Sequence, residues 1–223
     1  MNGAIVYRGP SALTGAPVIG VLTFRTSNMK TGPIPQLWIM AANEAPHEAA
    51  KSGADSAVCG GCKHRLKLGG GCYVTPHRGP LSVYRAAERG RYLDATTPAG
   101  QAKVALWLKL HAPRALRLGA YGDPAAIYPS ALAWLLRAAR SQGVALLGYT
   151  HQWRNAAGVA WAGHLMASVD TPAEGVRARA RGWRTFRVRL PSEALVDGER
   201  VCPAESHGMT CSTCRACTGL TGP

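Results

Sequence analysis

The feature that most constrains this chain is residues 55–73, DSAVCGGCKHRLKLGGGCY, which carry Cys59, Cys62 and Cys72. A C-x2-C pair and a third thiol after nine intervening residues, in a glycine-rich stretch that bends without steric penalty, make a three-thiolate pocket for a metal ion or an iron–sulfur cluster. Three thiolates leave one coordination position for His64, His77, a distant cysteine, water or a substrate. A catalytic centre keeps such a position open, whereas a structural zinc knuckle would close it with one of the histidines.

A second array lies in the tail, where Cys202, Cys211, Cys214 and Cys217 read C-x8-C-x2-C-x2-C. Four thiolates satisfy either Zn2+ or a [4Fe–4S] cluster, so this set is expected to be closed and to staple a segment that would not otherwise fold. The total of seven cysteines is odd and tightly clustered, which argues for metal in a reducing compartment rather than for a disulfide framework. No leader and no bilayer-spanning apolar run is read in the sequence, so the expectation is an intracellular protein without a membrane partner.

Lys and Arg number 26 against 12 Asp and Glu, a formal net charge of +14. Such an excess favours a polyanion, and nucleic acid, DNA or RNA, is the commonest. An Arg-rich coding bias would give the same excess with no partner. The excess concentrates late: Arg177, Arg179, Arg181, Arg184, Arg187 and Arg189 fall within thirteen residues. In a strand over 185–190, Thr185, Arg187 and Arg189 share one face, and the two arginines are expected to hold phosphates.

Three regions are expected: an irregular Gly- and Pro-rich arm (1–17), an α/β domain (18–198) and the Cys-rich tail (199–223). Apolar runs place strands at 18–24, 36–40, 116–121, 144–149, 164–169 and 185–190. Helical patterns fall at 44–52, 81–89, 98–111 and 129–140, and Thr171-Pro172-Ala173-Glu174 has capping-box form, starting a helix that runs to 181. On 98–111 the apolar face is read as Val104, Leu106, Trp107 and Leu110. Alternation of strand and helix implies parallel pairing in a small or incomplete (βα) barrel, with a doubly wound open sheet as the alternative.

In either architecture ligands bind at the carboxyl ends of the strands. Asp123, Tyr149, Thr150, His151 and Asp170 fall there. Asp123 and Asp170 are read as general base, nucleophile or hydrogen-bond acceptor, against the alternative that each caps a helix. His151 is a proton shuttle or metal ligand, and Tyr149 and Trp153 offer faces for a base. Ser27, Asn28, Lys30 and Thr31 form a polar loop suited to a phosphate, or a plain solvated turn.

The order of Cys59, Cys62 and Cys72-Tyr73, then Arg117 with Gly122-Asp123, then Tyr149-Thr150, then the tail array resembles small cysteine-rich phage proteins of unassigned activity. Those proteins resemble outlying radical-SAM barrels. The resemblance implies a phage-encoded partial barrel with an N-terminal [4Fe–4S] cluster, S-adenosylmethionine at its fourth iron position, and an auxiliary C-terminal cluster. The spacing here is C-x2-C-x9-C, whereas the usual radical-SAM loop is C-x3-C-x2-C. A weaker resemblance is to guanine transglycosylases, which join a barrel and strand-end aspartates to a cysteine-rich zinc segment completed by histidine.

Three functions follow as expectations. The first is a metal-dependent enzyme modifying nucleic acid or a nucleobase-type substrate at the Cys59, Cys62 and Cys72 centre. The second is base exchange by an aspartate nucleophile with structural zinc. The third is a metal-stapled nucleic-acid-binding protein with no activity.

Overall fold

The strands are β1 (Gly3–Pro10), β2 (Pro17–Thr23), β3 (Gln36–Ala41), β4 (Leu93–Asp94), β5 (Ala115–Tyr121), β6 (Ala145–Thr150), β7 (Met166–Val169) and β8 (Thr185–Arg187). In the computed structural model, which describes residues 1–26 and 28–220, they form one sheet in the order β4-β1-β2-β3-β5-β6-β7-β8. Ser27 of the polar loop and residues 221–223 lie outside the described residues. β3, β5, β6, β7 and β8 run parallel, and β2 runs against both of its neighbours.

The sheet is open, with β4 and β8 as its edges, and does not close into the expected barrel. The reason lies in residues 1–17, which are not an irregular arm. β1 pairs with β2 from Gly3↔Thr23 to Pro10↔Pro17, so a hairpin and the two-residue β4 occupy the side on which a barrel would close. Pro10 and Pro17 sit at the hairpin ends, where a missing backbone donor costs little, so their presence does not exclude a strand.

The helices are α1 (Pro46–Ser52), α2 (Ser56–Cys59), α3 (Gly79–Glu88), α4 (Pro98–His111), α5 (Ala133–Ser141), α6 (Ala156–Val159), α7 (Pro172–Ala180), α8 (Pro203–Ser206) and α9 (Cys211–Cys214). α7 begins as its sequence predicts: the Thr171 hydroxyl accepts from Glu174 N, and the Glu174 carboxylate accepts from Asp170 N. α4 starts and ends at the expected residues but buries a different face. Val104 and Leu108 point into the core, while Leu106 and Leu110 are 54% and 71% exposed. Trp107 instead stacks between Phe24 and His111.

The main core joins Val104 and Leu108 of α4, and Leu135, Leu136 and Ala139 of α5, to Leu116 and Leu146 of the sheet. With only two Phe in the chain, three indoles, Trp153, Trp161 and Trp183, are buried alongside Phe24, Tyr84 and Tyr121. On the opposite face Gln36, Arg117 and Leu147 lie in register on adjacent strands. There α3 covers β3, with Gly79 against the Trp38 ring, and the tail covers β5 and β6, with Cys211 and Cys217 packed on Ile34, Ala115 and Leu147. Among the described residues no helix is long and apolar enough to cross a membrane.

Candidate metal centre at the carboxyl rim

The cysteine loop lies across the carboxyl ends of the parallel strands. Asp123 N, just past β5, donates to Val58 O, and Gln152 Nε2, just past β6, donates to Cys59 O at 2.9 Å. Gly60 makes the approach possible: its φ is 54°, and a Cβ there would stand 2.8 Å from the Gln152 amide. Arg65 ties the loop to its own base. Its Nε and Nη2 donate to Asp55 Oδ1 at 3.0 and 2.6 Å, Nη2 also reaches Gly53 O, and Nη1 reaches Gly60 O. Both partners are nearly enclosed, with side chains 11% and 5% exposed.

Burial, followed by the charge of Asp55, pushes the Cys59 thiol well above its ordinary range. Burial also lifts Cys62 to about 11, opposed by the His64 backbone N–H that donates to its sulfur. Metal binding at these thiols therefore displaces protons. Among the described residues, neither cysteine array brings three sulfurs within 4.8 Å of one another. A zinc tetrahedron holds its sulfurs about 3.8 Å apart, given a Zn–S bond of about 2.3 Å.

One group of ligand atoms does converge that closely: His64 from the cysteine loop, His151 after β6 and Asp170 after β7. His64 Nε2 lies 2.6 Å from Asp170 Oδ1, and the two imidazoles meet edge to face with centroids 5.4 Å apart. Lys63 Nζ stands 3.4 Å from Asp170 Oδ2, and Ser168 Oγ lies 3.0 Å from His151 Nε2. Burial pushes the His151 imidazole down to about 4, so it is neutral near pH 7.

His151 and Asp170 were expected at the rim, and the structure brings them together. Asp123 and Thr150 lie beneath them as supports. Asp123 Oδ1 accepts from Ala125 N at 2.9 Å and Oδ2 from His151 N at 2.8 Å, so both oxygens hold loop backbone. Burial lifts its carboxyl to about 6 against the pull of these donors. Thr150 is fully buried, and its hydroxyl accepts from Gln152 N. These commitments favour the capping reading of Asp123 over the nucleophile.

Tyr149 faces the other way. Its hydroxyl donates to Cys217 Sγ at 2.8 Å, its ring packs on Phe186, and burial raises its pKa. Trp153 offers no open face to a base: it is 1% exposed, with the Arg154 guanidinium 4.1 Å over its ring. Lys30 pairs with Glu205 of the tail, and its carbonyl accepts from Cys211 N. Asn28 Oδ1 accepts from Lys30 N, which fixes the turn.

Arg187 and Arg189 do not form the expected cationic strip. The Arg187 side chain is 6% exposed, donates to both Glu199 oxygens at 2.7 Å, and pairs with Glu193. Arg189 Nη1 donates to the carbonyls of Leu190, Pro191 and Glu193. β8 ends at Arg187, and the segment that follows it supplies these acceptors. Arg177, Arg179 and Arg181 remain exposed.

Between α3 and the loop after β2 a cavity of 480 Å³ opens on the sheet, lined by Thr23, Gln36, Trp38, Arg117, Tyr73 and Asn28, among others. Trp38 Nε1 donates to Thr23 Oγ1, Gln36 Nε2 donates to Thr31 Oγ1, and Arg117 Nη2 donates to the Tyr73 hydroxyl at 2.6 Å. Of this wall Asn28 was expected at a binding loop, whereas Thr23, Gln36 and Trp38, like the Asp55–Arg65 pair, were not expected at a site. The available signals were Gln36 at the start of β3 and Arg117 inside the otherwise apolar β5.

The thiols of Cys202, Cys211 and Cys214 bear on Cys217, and burial raises Cys217 before their charges do. No family model, curated protein or solved structure matches this chain.

Proposed function

We propose that the protein is a metal-dependent enzyme that modifies nucleic acid or a nucleobase-type substrate, with Cys59, Cys62 and Cys72 holding its reactive centre. The observation that carries this reading is the placement of the cysteine loop over the ends of β5 and β6, the edge at which open α/β sheets bind ligands. From Cys72 the chain passes directly to Tyr73, which reaches Arg117 in the cavity wall. Reactive centre and substrate cavity are therefore contiguous along the chain.

Thiolates are the ligands that a [4Fe–4S] cluster and Zn2+ both take, and the three thiols of this loop leave one position open for a co-substrate. When bound, a cluster supplies electron transfer, and S-adenosylmethionine is the co-substrate its resemblance to radical-SAM proteins implies. The chain's own residues do the rest. Asp55 and Arg65 hold the loop, and the rings of Trp38 and Tyr73 with the Gln36 amide suit a flat polar base. Arg117 suits a phosphate, and the net charge of +14 suits a polyanion.

The test is anaerobic incubation of iron-loaded protein with reductant, S-adenosylmethionine and DNA, RNA or free nucleotides, followed by mass spectrometry of the nucleosides. A new nucleoside that disappears with Cys72→Ser and with Arg117→Ala supports the reading. Unchanged nucleosides from iron-loaded protein in all three substrates overturn it.

A further inference from the structure

The cysteines are not the only ligand set at this rim. We propose that His64, His151 and Asp170 form a separate site for a divalent transition-metal ion. The three come from distant segments, the cysteine loop and the loops after β6 and β7, yet each offers a ligand atom within 4.8 Å of the other two. Two imidazoles and one carboxylate are a set used by Fe(II), and nitrogen and oxygen donors of this kind also suit Zn(II), Mn(II) and Co(II). Three protein ligands leave positions for water or a substrate oxygen.

The surroundings fit a metal site better than an isolated His–Asp pair. Asp170 is held from its own backbone, where its N–H donates to Glu174 at 2.8 Å, and Glu174 is in turn paired with Arg154. His151 is held through its backbone N–H by Asp123 and faces Ser168 Oγ. Such outer contacts orient ligands before an ion arrives. A pair alone would need only His64 and Asp170, but here a second imidazole is turned edge-on to the first at 5.4 Å. Lys63, which pairs with Asp170, has a side chain 60% exposed, so it can swing away from Asp170 when an ion binds.

The site does not depend on the thiolate reading, because its donors are nitrogen and oxygen. The experiment is a Co(II) titration of the full chain as isolated, with whatever metal its cysteines hold left in place, followed by visible absorption. The expected result is one further Co(II) per chain with weak d–d bands and no sulfur-to-cobalt charge-transfer band. His64→Gln, His151→Gln and Asp170→Asn should each weaken it at least about tenfold, as loss of a ligand does more than loss of an outer-shell partner. Lys63→Ala should tighten it, and it reports on the site even if a ligand variant misfolds. No further Co(II), a thiolate charge-transfer band on the added ion, or equal affinity in all four variants overturns the proposal. Failure of the iron–sulfur reading shows instead in iron and sulfide content, which this titration does not measure.

Discussion

His64 Nε2 and Asp170 Oδ1 stand 2.6 Å apart across 106 residues of sequence. The contact fastens the middle of the cysteine loop to the end of β7, far from the loop's own base at Asp55. Asp170→Ala is therefore expected to free the loop at this end while leaving the sheet intact. Limited trypsin digestion read by mass spectrometry checks this: cleavage at Lys63 and Lys67 should accelerate, with the rest of the chain unchanged.

The base of the loop carries the larger energy. Arg65→Met leaves Asp55 enclosed without its guanidinium, and removing one partner of a buried pair costs roughly 3–5 kcal/mol. For a chain of this size that is a fall in Tm of roughly 10 °C. Asp55→Asn combined with Arg65→Met should recover part of the loss, because no unpaired charge then remains. Thermal denaturation of the two variants measures both.

Asp123 and His151 are expected to give opposing pH dependences in metal-free protein. The Asp123 carboxyl is raised from 3.8 to about 6, so its contribution is present in acid and lost as pH rises through about 6. The His151 imidazole is lowered from 6.5 to about 4, so its contribution is present above 6.5 and lost as pH falls through about 4. In the natural chain the slopes offset one another between about pH 4 and 6. His151→Gln should leave a protein that loses stability on going from pH 4 to 6, and Asp123→Asn one that gains it. Urea denaturation across that range checks the sign of each.

Arg187 is expected to act on the tail and not on nucleic acid. Its guanidinium is bound to Glu199 and Glu193, so Arg187→Ala should lower Tm and leave the salt dependence of nucleic-acid binding unchanged. Replacing the exposed Arg177, Arg179 and Arg181 together should flatten that dependence. Binding isotherms at several salt concentrations separate the two groups.

Local chemistry in the sequence was enough to place most elements. Pro98 to His111 and the Thr171 capping box fix their helices through proline, hydroxyl and carboxylate positions that act within one turn. β1 was hidden because its glycine and prolines read as irregular chain, and only pairing with β2 makes it a strand. The rim was legible as a place, since strand ends can be located by pattern. Which rim residues face each other was not. Asp123 and Thr150 turn inward to hold backbone, Tyr149 turns to the tail, and His64 arrives from a loop whose path depends on Gly60, Gln152 and the Asp55–Arg65 pair. Arg187 was misread for a related reason: alternation gives the face of a strand, but Glu199 approaches from outside it.

The loop bearing Cys59, Cys62 and Cys72 is proposed to hold a reactive cluster. Iron and acid-labile sulfide, measured with an absorption spectrum on protein prepared without oxygen, test it most directly. The expected result is iron and sulfide with a broad band near ~400 nm, the signature of thiolate-bound clusters. Cys59→Ser and Cys62→Ser should each remove part of that content while Cys211→Ser leaves the part held by the loop. Zinc alone, with no sulfide and no visible band, would mean that the loop holds no cluster.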